Sequence, residues 1–204
     1  MTLDVNSPTA TAAGTWGEVA TTVHAALQQS AAVVVTVVLG SREMLQIDIP
    51  RYSFEWPRPL EDFPVGATGL GVASHPAADF SATPKNLDGL LWSLGNNAFQ
   101  GEPASWLDPA QRVRLSRWPN MPRHMHSMQQ MYMLAALGNA YFTASELAAA
   151  AKVSEPVAQD LINALSLMQL LKYSSEVAAP VIAVAPPQEQ SKSLFARLRA
   201  RLGR

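Results

Sequence analysis

Met121, His124, Met125, His126 and Met128, followed by Met131 and Met133, gather thioethers and imidazoles into one short stretch. Soft ligands of this kind suit Cu(I) or Ag(I), and His124 and Met128, four residues apart, would share a helical face. Arg123 inside the stretch opposes a cation, however, and a helix that starts here needs apolar side chains for its packed face. Methionine fills irregular cores readily, so the sequence predicts packing and no metal site. The other histidines stand alone. His24 lies on a predicted helix beside Val23, and His75 precedes Pro76 with Asp79 nearby, but no serine in a nucleophile-elbow context completes a triad. Gly66, Gly69 and Gly71 do not fit the spacing of a dinucleotide-binding turn, and there is no phosphate-cradling lysine loop. Asp48, Glu55, Glu61 and Asp62 surround a predicted hairpin without a spacing that pairs two carboxylates for acid–base work. The expectation is a protein that is not an enzyme, holds no cofactor and takes no evident small-molecule substrate.

Two groups of cationic residues point instead to docking. Arg112, Arg114, Arg117 and Arg123, with Trp118 among them, would suit a phosphate backbone; the favoured reading is a solvated face that pairs with acids of the body. The second group is the stretch 191–204, SKSLFARLRARLGR, with five basic residues and no acid. Residues 1–190 hold the other ten basic residues and all sixteen acidic ones, so a body of formal charge −6 ends in a tail of +5. On a helix at about 100° per residue, Leu194, Phe195, Leu198 and Leu202 fall on one arc. Arg199 flanks that arc on one side and Arg197 and Arg201 on the other. Such a stripe fits an anionic lipid interface or a partner's apolar groove. It is too short to be a stable helix alone in water, so the tail is expected to fold on docking.

The elements that must carry these residues read as follows. A chain of 204 residues is one medium domain or two small ones. The lack of cysteine excludes disulfides and thiolate metal sites. Residues 1–13 read as loose, with no secretory signal. The longest apolar run, residues 31–40, is far shorter than the roughly 20 residues that span a bilayer. A cytoplasmic protein is expected, with peripheral contact at the inner face of the membrane through the tail. Thr15 and Glu18 form a capping box that opens a helix to about Gln29. Val33–Leu39 suits a strand covered on both faces, and Met44–Ile49 alternates, so the two predict a β-hairpin. Pro50 would interrupt a central strand, which makes a continuation through residues 52–56 an edge strand or a bulge. Loop follows, with a short strand near residues 70–73. A helix over Leu87–Leu94 is expected to end at Gly95. Val113 and Leu115 alternate with arginines as a basic strand or connector. Phe54, Trp56, Trp92 and Phe99 read as core.

The last third has the clearest pattern. Residues 121–137 are helical. Thr143 and Glu146 form a second capping box, and Ser154 can cap a further helix with Pro156 in its first turn. Val157, Leu161, Leu165 and Met168 make an apolar stripe, and residues 170–173 a short strand. The segment FTASELAAAAKVSEPVAQDLINALSLMQLL, within residues 128–174, resembles the winged helix-turn-helix superfamily. That resemblance implies DNA binding by the second helix of the motif, in the major groove. Here that helix, residues 155–168, carries Glu155 and Asp160 and no lysine or arginine; Gln159 and Asn163 are its candidate base readers. DNA affinity rests largely on phosphate neutralisation, and residues 128–174 have two lysines against three acids. The favoured expectation is therefore a winged helix used for protein packing.

The sequence thus predicts an α+β chain: a loose N-terminus (1–13), a helix and β-hairpin packed with helices (14–120), a winged-helix-like module (121–174), a Pro/Ala linker (175–190) and a flexible basic tail (191–204). Its expected function is that of a non-catalytic adaptor or scaffold that binds a protein partner and docks through Leu194, Phe195, Arg197, Leu198, Arg199, Arg201 and Leu202. The alternative is a winged-helix transcriptional regulator that uses Arg112, Arg114, Arg117 and Arg123.

Overall fold

A computed structural model describes residues 9–11, 14–40, 43–76, 84–120 and 127–174. The fold is α+β, built on a six-stranded antiparallel sheet. Its strands are β1 (Thr9–Thr11), β2 (Val33–Leu39), β3 (Glu43–Asp48), β4 (Ser53–Glu55), β5 (Gly71–Pro76) and β6 (Lys85–Asn86), in the order β1-β5-β2-β3-β4-β6. The expected hairpin is present, with Val35 opposite Ile47 and Val37 opposite Leu45. Side chains alternate across a strand, so Val35, Val37, Leu45, Ile47, Phe54 and Val72 line one buried face. Helix α1 (Trp16–Gln28) contacts β2 and adds Trp16, Val19, Ala20 and Val23 to this core. The Thr15–Glu18 capping box starts α1 as the sequence predicts.

Several features differ from the sequence reading. Strand β2 is not covered on both faces: Thr36 is half-buried and Val38 and Met44 are exposed, as on a sheet with one solvated side. The chain does not continue past Pro50. It reverses there, with Tyr52 at φ +50° and its amide on the Ile49 carbonyl, and β4 returns antiparallel to β3. Asp48, which the alternation placed on the open face, is buried and stitches this turn. Its carboxylate accepts the Arg51 amide at 3.0 Å and the Arg51 guanidinium at 2.7 Å. The strand foreseen near residues 70–73 is β5, which sits inside the sheet between β1 and β2. Phe54, Trp56 and Trp92 are core and Phe99 packs against it, as expected.

A further difference concerns α2 (Leu87–Asn97), which starts on an Asn86 cap. It was expected to stop at Gly95 but runs through it. A Cβ at position 95 would lie 2.3 Å from the Cα of Ala164 in α5 (Glu155–Leu167), so this glycine lets two helix backbones touch instead of ending one. Helix α3 (Met128–Asn139) opens on a Ser127–Gln130 capping box, so it starts later than the residue 121 read from the sequence, while α4 (Ala144–Ala151) opens on the predicted Thr143–Glu146 box. Lys152 ends α4 in the left-handed region, at φ +56°. Ser154 precedes α5, but its side chain makes no capping hydrogen bond, contrary to expectation; Pro156 in the first turn needs no amide partner there. Strand β8 (Leu171–Tyr173) pairs with β7 (Val113–Leu115), and Phe142 bridges to Val113.

The hydrophobic core runs unbroken from α1 and the sheet through α2 to α3, α4 and α5. The boundary expected at residue 120 therefore does not divide it, because β7 on one side pairs with β8 on the other. Among the described residues no helix is long and apolar enough to cross a membrane. The linker 175–190 and the tail lie outside the described residues, as do Met121, Arg123, His124, Met125 and His126.

Candidate functional site

The structure separates the residues that the sequence grouped together. Helix α5, the candidate reading helix, is exposed only in its first turn and buried from Ala158 to Met168, apart from the half-buried Asp160. Its polar residues point into protein. Asn163 is 0% exposed; its oxygen accepts the Ala104 amide at 3.1 Å and the Gln159 amide at 2.9 Å, and its nitrogen donates to the Glu102 carbonyl at 2.9 Å. Asp160 accepts the Gly101 amide at 2.8 Å, and Ser166 accepts the Trp106 indole at 2.9 Å. Asp160, Asn163 and Ser166 recur every three residues, so one stripe of α5 fastens the connector that follows α2. Gln159 and Asn163 are thus unavailable to a base edge.

The arginines divide as well. Arg112 forms an ion pair with Glu146, the capping-box residue of α4, and so ties the β7 edge to the helical layer. Burial pulls the Glu146 carboxyl upward, but the Arg112 guanidinium and the Thr143 amide and hydroxyl outweigh it and leave it below its ordinary value of 4.5. For a carboxyl depressed on folding, the stabilisation is present above that ordinary value and is lost as pH falls through the folded one. Glu146→Gln is therefore expected to lower the melting temperature at pH 7, and the gap from the parent protein is expected to close progressively below about pH 4.5. Thermal melts across pH 2–7, set by that linkage, check this. Arg114 and Arg117 are exposed, and Arg114 lies directly across from Lys172 on the open face of β7–β8. Arg114 also donates to the Gly138 carbonyl at 3.3 Å.

Of the methionine stretch, Met133 is core, Met131 packs against it, and Met128 is 69% exposed. Tyr132, one turn after Met128 on α3, is 64% exposed, and Trp118, Tyr141 and Tyr173 are also exposed. Among the described residues no group of three or more metal-ligating side chains other than methionine comes together. His24 stacks on Trp106, ring centroids 4.0 Å apart and 6° from parallel, and burial lowers its pKa. His75 shares a 2.8 Å hydrogen bond with Thr36, a diagonal cross-strand pair on the open face of the sheet.

A feature that the sequence reading missed is a cleft of about 410 Å3 where the 3-10 turn Leu60–Asp62 meets α2, α3 and α5. Leu60, Glu61, Trp92, Ser93, Asn96, Asn97, Gln130, Val157 and Asp160 line it. The turn is held in place by an aromatic cluster: Trp16 and Phe63 lie 4.7 Å apart, Trp56 meets both edge-on, and the Trp16 indole donates to the Pro64 carbonyl at 2.8 Å. Asn96 and Asn97 donate to the helix carbonyls of Trp92 and Ser93, and Gln130 donates to the Asn96 oxygen at 3.2 Å. Burial pushes the Asp160 carboxyl above its ordinary pKa, and the Gly101 amide only partly offsets this. No local motif announces the cleft, because its lining comes from four elements far apart in the chain. Comparison with family models, curated proteins and solved structures finds no match to this chain.

Proposed function

We propose that the chain is a non-catalytic adaptor that binds a protein partner through the outer face of α3 and docks through its basic C-terminal tail. One observation carries this reading: Met128 and Tyr132, one turn apart on α3, stand 69% and 64% exposed. Methionine and tyrosine are enriched in protein interfaces, and a helix seldom leaves two such side chains in water side by side. In this reading residues 128–174 are a winged-helix-like module whose second helix is used for packing. The order α3, α4, α5, β8, with the left-handed turn at Lys152, supports that likeness. The burial of α5 and of Gln159 and Asn163 argues against a helix that reads DNA. The tail residues Leu194 to Leu202 give the adaptor reversible contact with an anionic membrane surface or a second groove, at the inner face of the membrane.

The test compares three proteins: the full chain, a chain ending at Gln190, and the full chain with Met128→Ser and Tyr132→Ser. Partner capture from native lysate, identified by mass spectrometry, is measured beside binding to anionic vesicles and duplex DNA. The double substitution is expected to weaken capture of one reproducible protein by roughly tenfold or more with the melting temperature preserved. The truncation is expected to reduce vesicle binding. Capture that survives both changes overturns the reading. DNA binding with steep salt dependence that survives truncation would establish a regulator that uses the Arg114 face.

A further inference from the structure

We propose that the cleft between the Leu60–Asp62 turn, α2, α3 and α5 binds a cationic ligand group, a guanidinium or a primary ammonium. Its volume of about 410 Å3 falls in the range of small-ligand sites, roughly 300–1,000 Å3. Among the described residues that line the cleft the charged side chains are acidic. Glu61 and Asp160 line it, and among the described lining residues there is no lysine or arginine. The amide groups add hydrogen-bonding capacity. The side-chain nitrogens of Asn96, Asn97 and Gln130 each donate once, to Trp92, Ser93 and Asn96 respectively, and each keeps a second N–H. The Asn97 oxygen and the second oxygen of Asp160, whose first takes the Gly101 amide, remain as acceptors. A cation that enters would meet these acceptors beside the carboxylates. Ser93 adds an independent pointer. It is 7% exposed, lines the cleft, and its hydroxyl makes no hydrogen bond among the described residues. The hydroxyl faces the cleft and can accept from, or donate to, a ligand there.

The lining also suits such a group sterically. Trp92 supplies an aromatic wall, and Leu60 and Val157 supply apolar edges for the alkyl stem that carries a guanidinium or ammonium. Asp160 has the character of a group held for binding. Burial raises its pKa, so its carboxylate is poorly solvated, and a cation beside it would restore the lost solvation. Such a group costs stability in the empty protein. Asp160→Asn keeps an oxygen for the Gly101 amide and is expected to melt no lower than the parent at pH 7.

The experiment is a titration of the full chain, by calorimetry and by 1H–15N spectra, with agmatine and with a short capped peptide containing one arginine. Succinate and butanol are the anionic and neutral controls. Saturable binding of agmatine or the peptide, with shifts at Ser93, Asn97, Gln130 and Asp160, is expected, and no saturable response to the controls. Asp160→Asn with Glu61→Gln is expected to weaken binding by roughly tenfold or more while the protein remains folded. The better of the two ligands identifies the source, a free organic cation or a basic side chain of a polypeptide. Absence of binding by both cations, equal response to succinate or butanol, or affinity unchanged in the double variant would overturn the proposal. The outcome is independent of Met128 and Tyr132, so the adaptor reading and this one fail separately.

Discussion

Gly95→Ala destabilises the protein by about 3 kcal/mol or more, at the upper end of what overpacking a core costs. The new Cβ would sit 2.3 Å from the Ala164 Cα and 2.8 Å from its backbone nitrogen. These are backbone atoms of a buried helix, so no side chain can swing aside, and α2 and α5 must separate. Separation strips contacts from Leu91, Leu94, Leu161 and Leu165, all fully buried. Gly138 provides the contrast. It lies in α3 with nothing within 4 Å of its added Cβ, so Gly138→Ala is expected to stabilise by about 0.5–1 kcal/mol through helix propensity alone. Denaturant unfolding of both variants measures the difference in sign. Equal effects at the two glycines would show that helix propensity, and not backbone contact, governs position 95.

The second large effect is at Asn163. Removing its side chain in Asn163→Ala leaves the Ala104 amide, the Glu102 carbonyl and the Gln159 amide without the partner they share. Each buried orphan costs about 1–3 kcal/mol; with some relief from water, a loss of about 3 kcal/mol is expected. The damage should be local as well as global: the Ala104 amide should exchange with solvent far faster, because that bond pins the connector between α2 and β7. Asn163→Asp gives a sharper test. It keeps an oxygen for Ala104 but loses the donor to Glu102 and buries a charge. Its carboxyl is therefore expected to have a raised pKa, so stability should be lowest at neutral pH and recover as pH falls and the protonated acid donates again. A variant equally unstable at pH 4 and pH 7 would contradict this linkage.

Much of the local structure was legible in the residues. The Thr15–Glu18 and Thr143–Glu146 boxes start helices where they were read, because a cap is a contact over three residues and needs no distant partner. The β2–β3 hairpin followed from its run of branched apolar residues and the alternation after it. The Ser127–Gln130 box is equally local, a contact over three residues, but was not read from the sequence. The candidate site was less legible. Arg112 and Arg114 look equivalent in sequence, yet one meets Glu146 and the other faces outward beside Lys172. Nothing within a few residues of Glu61, Ser93, Gln130 or Asp160 signals that they line one cleft.

The division follows the range of the forces. Caps, turns and side-chain alternation act between near neighbours, so the sequence by itself determined where helices other than α3 start, which strands pair as a hairpin, and that the body is acidic and the tail basic. Burial of polar residues depends on partners far along the chain. Asn163 read as a polar surface residue because the connector that satisfies it lies about sixty residues earlier, and Gln159, which donates to Asn163, is buried with it. Asp48 is a local case that alternation alone misses: the turn folds Arg51, only three residues on, back onto it. Gly95 read as a stop because only the approach of α5 shows that the missing Cβ is a contact. Tertiary structure alone decided the roles of Asn163 and Gly95, since the free energy of a buried polar atom or an absent side chain is set by whatever packs against it.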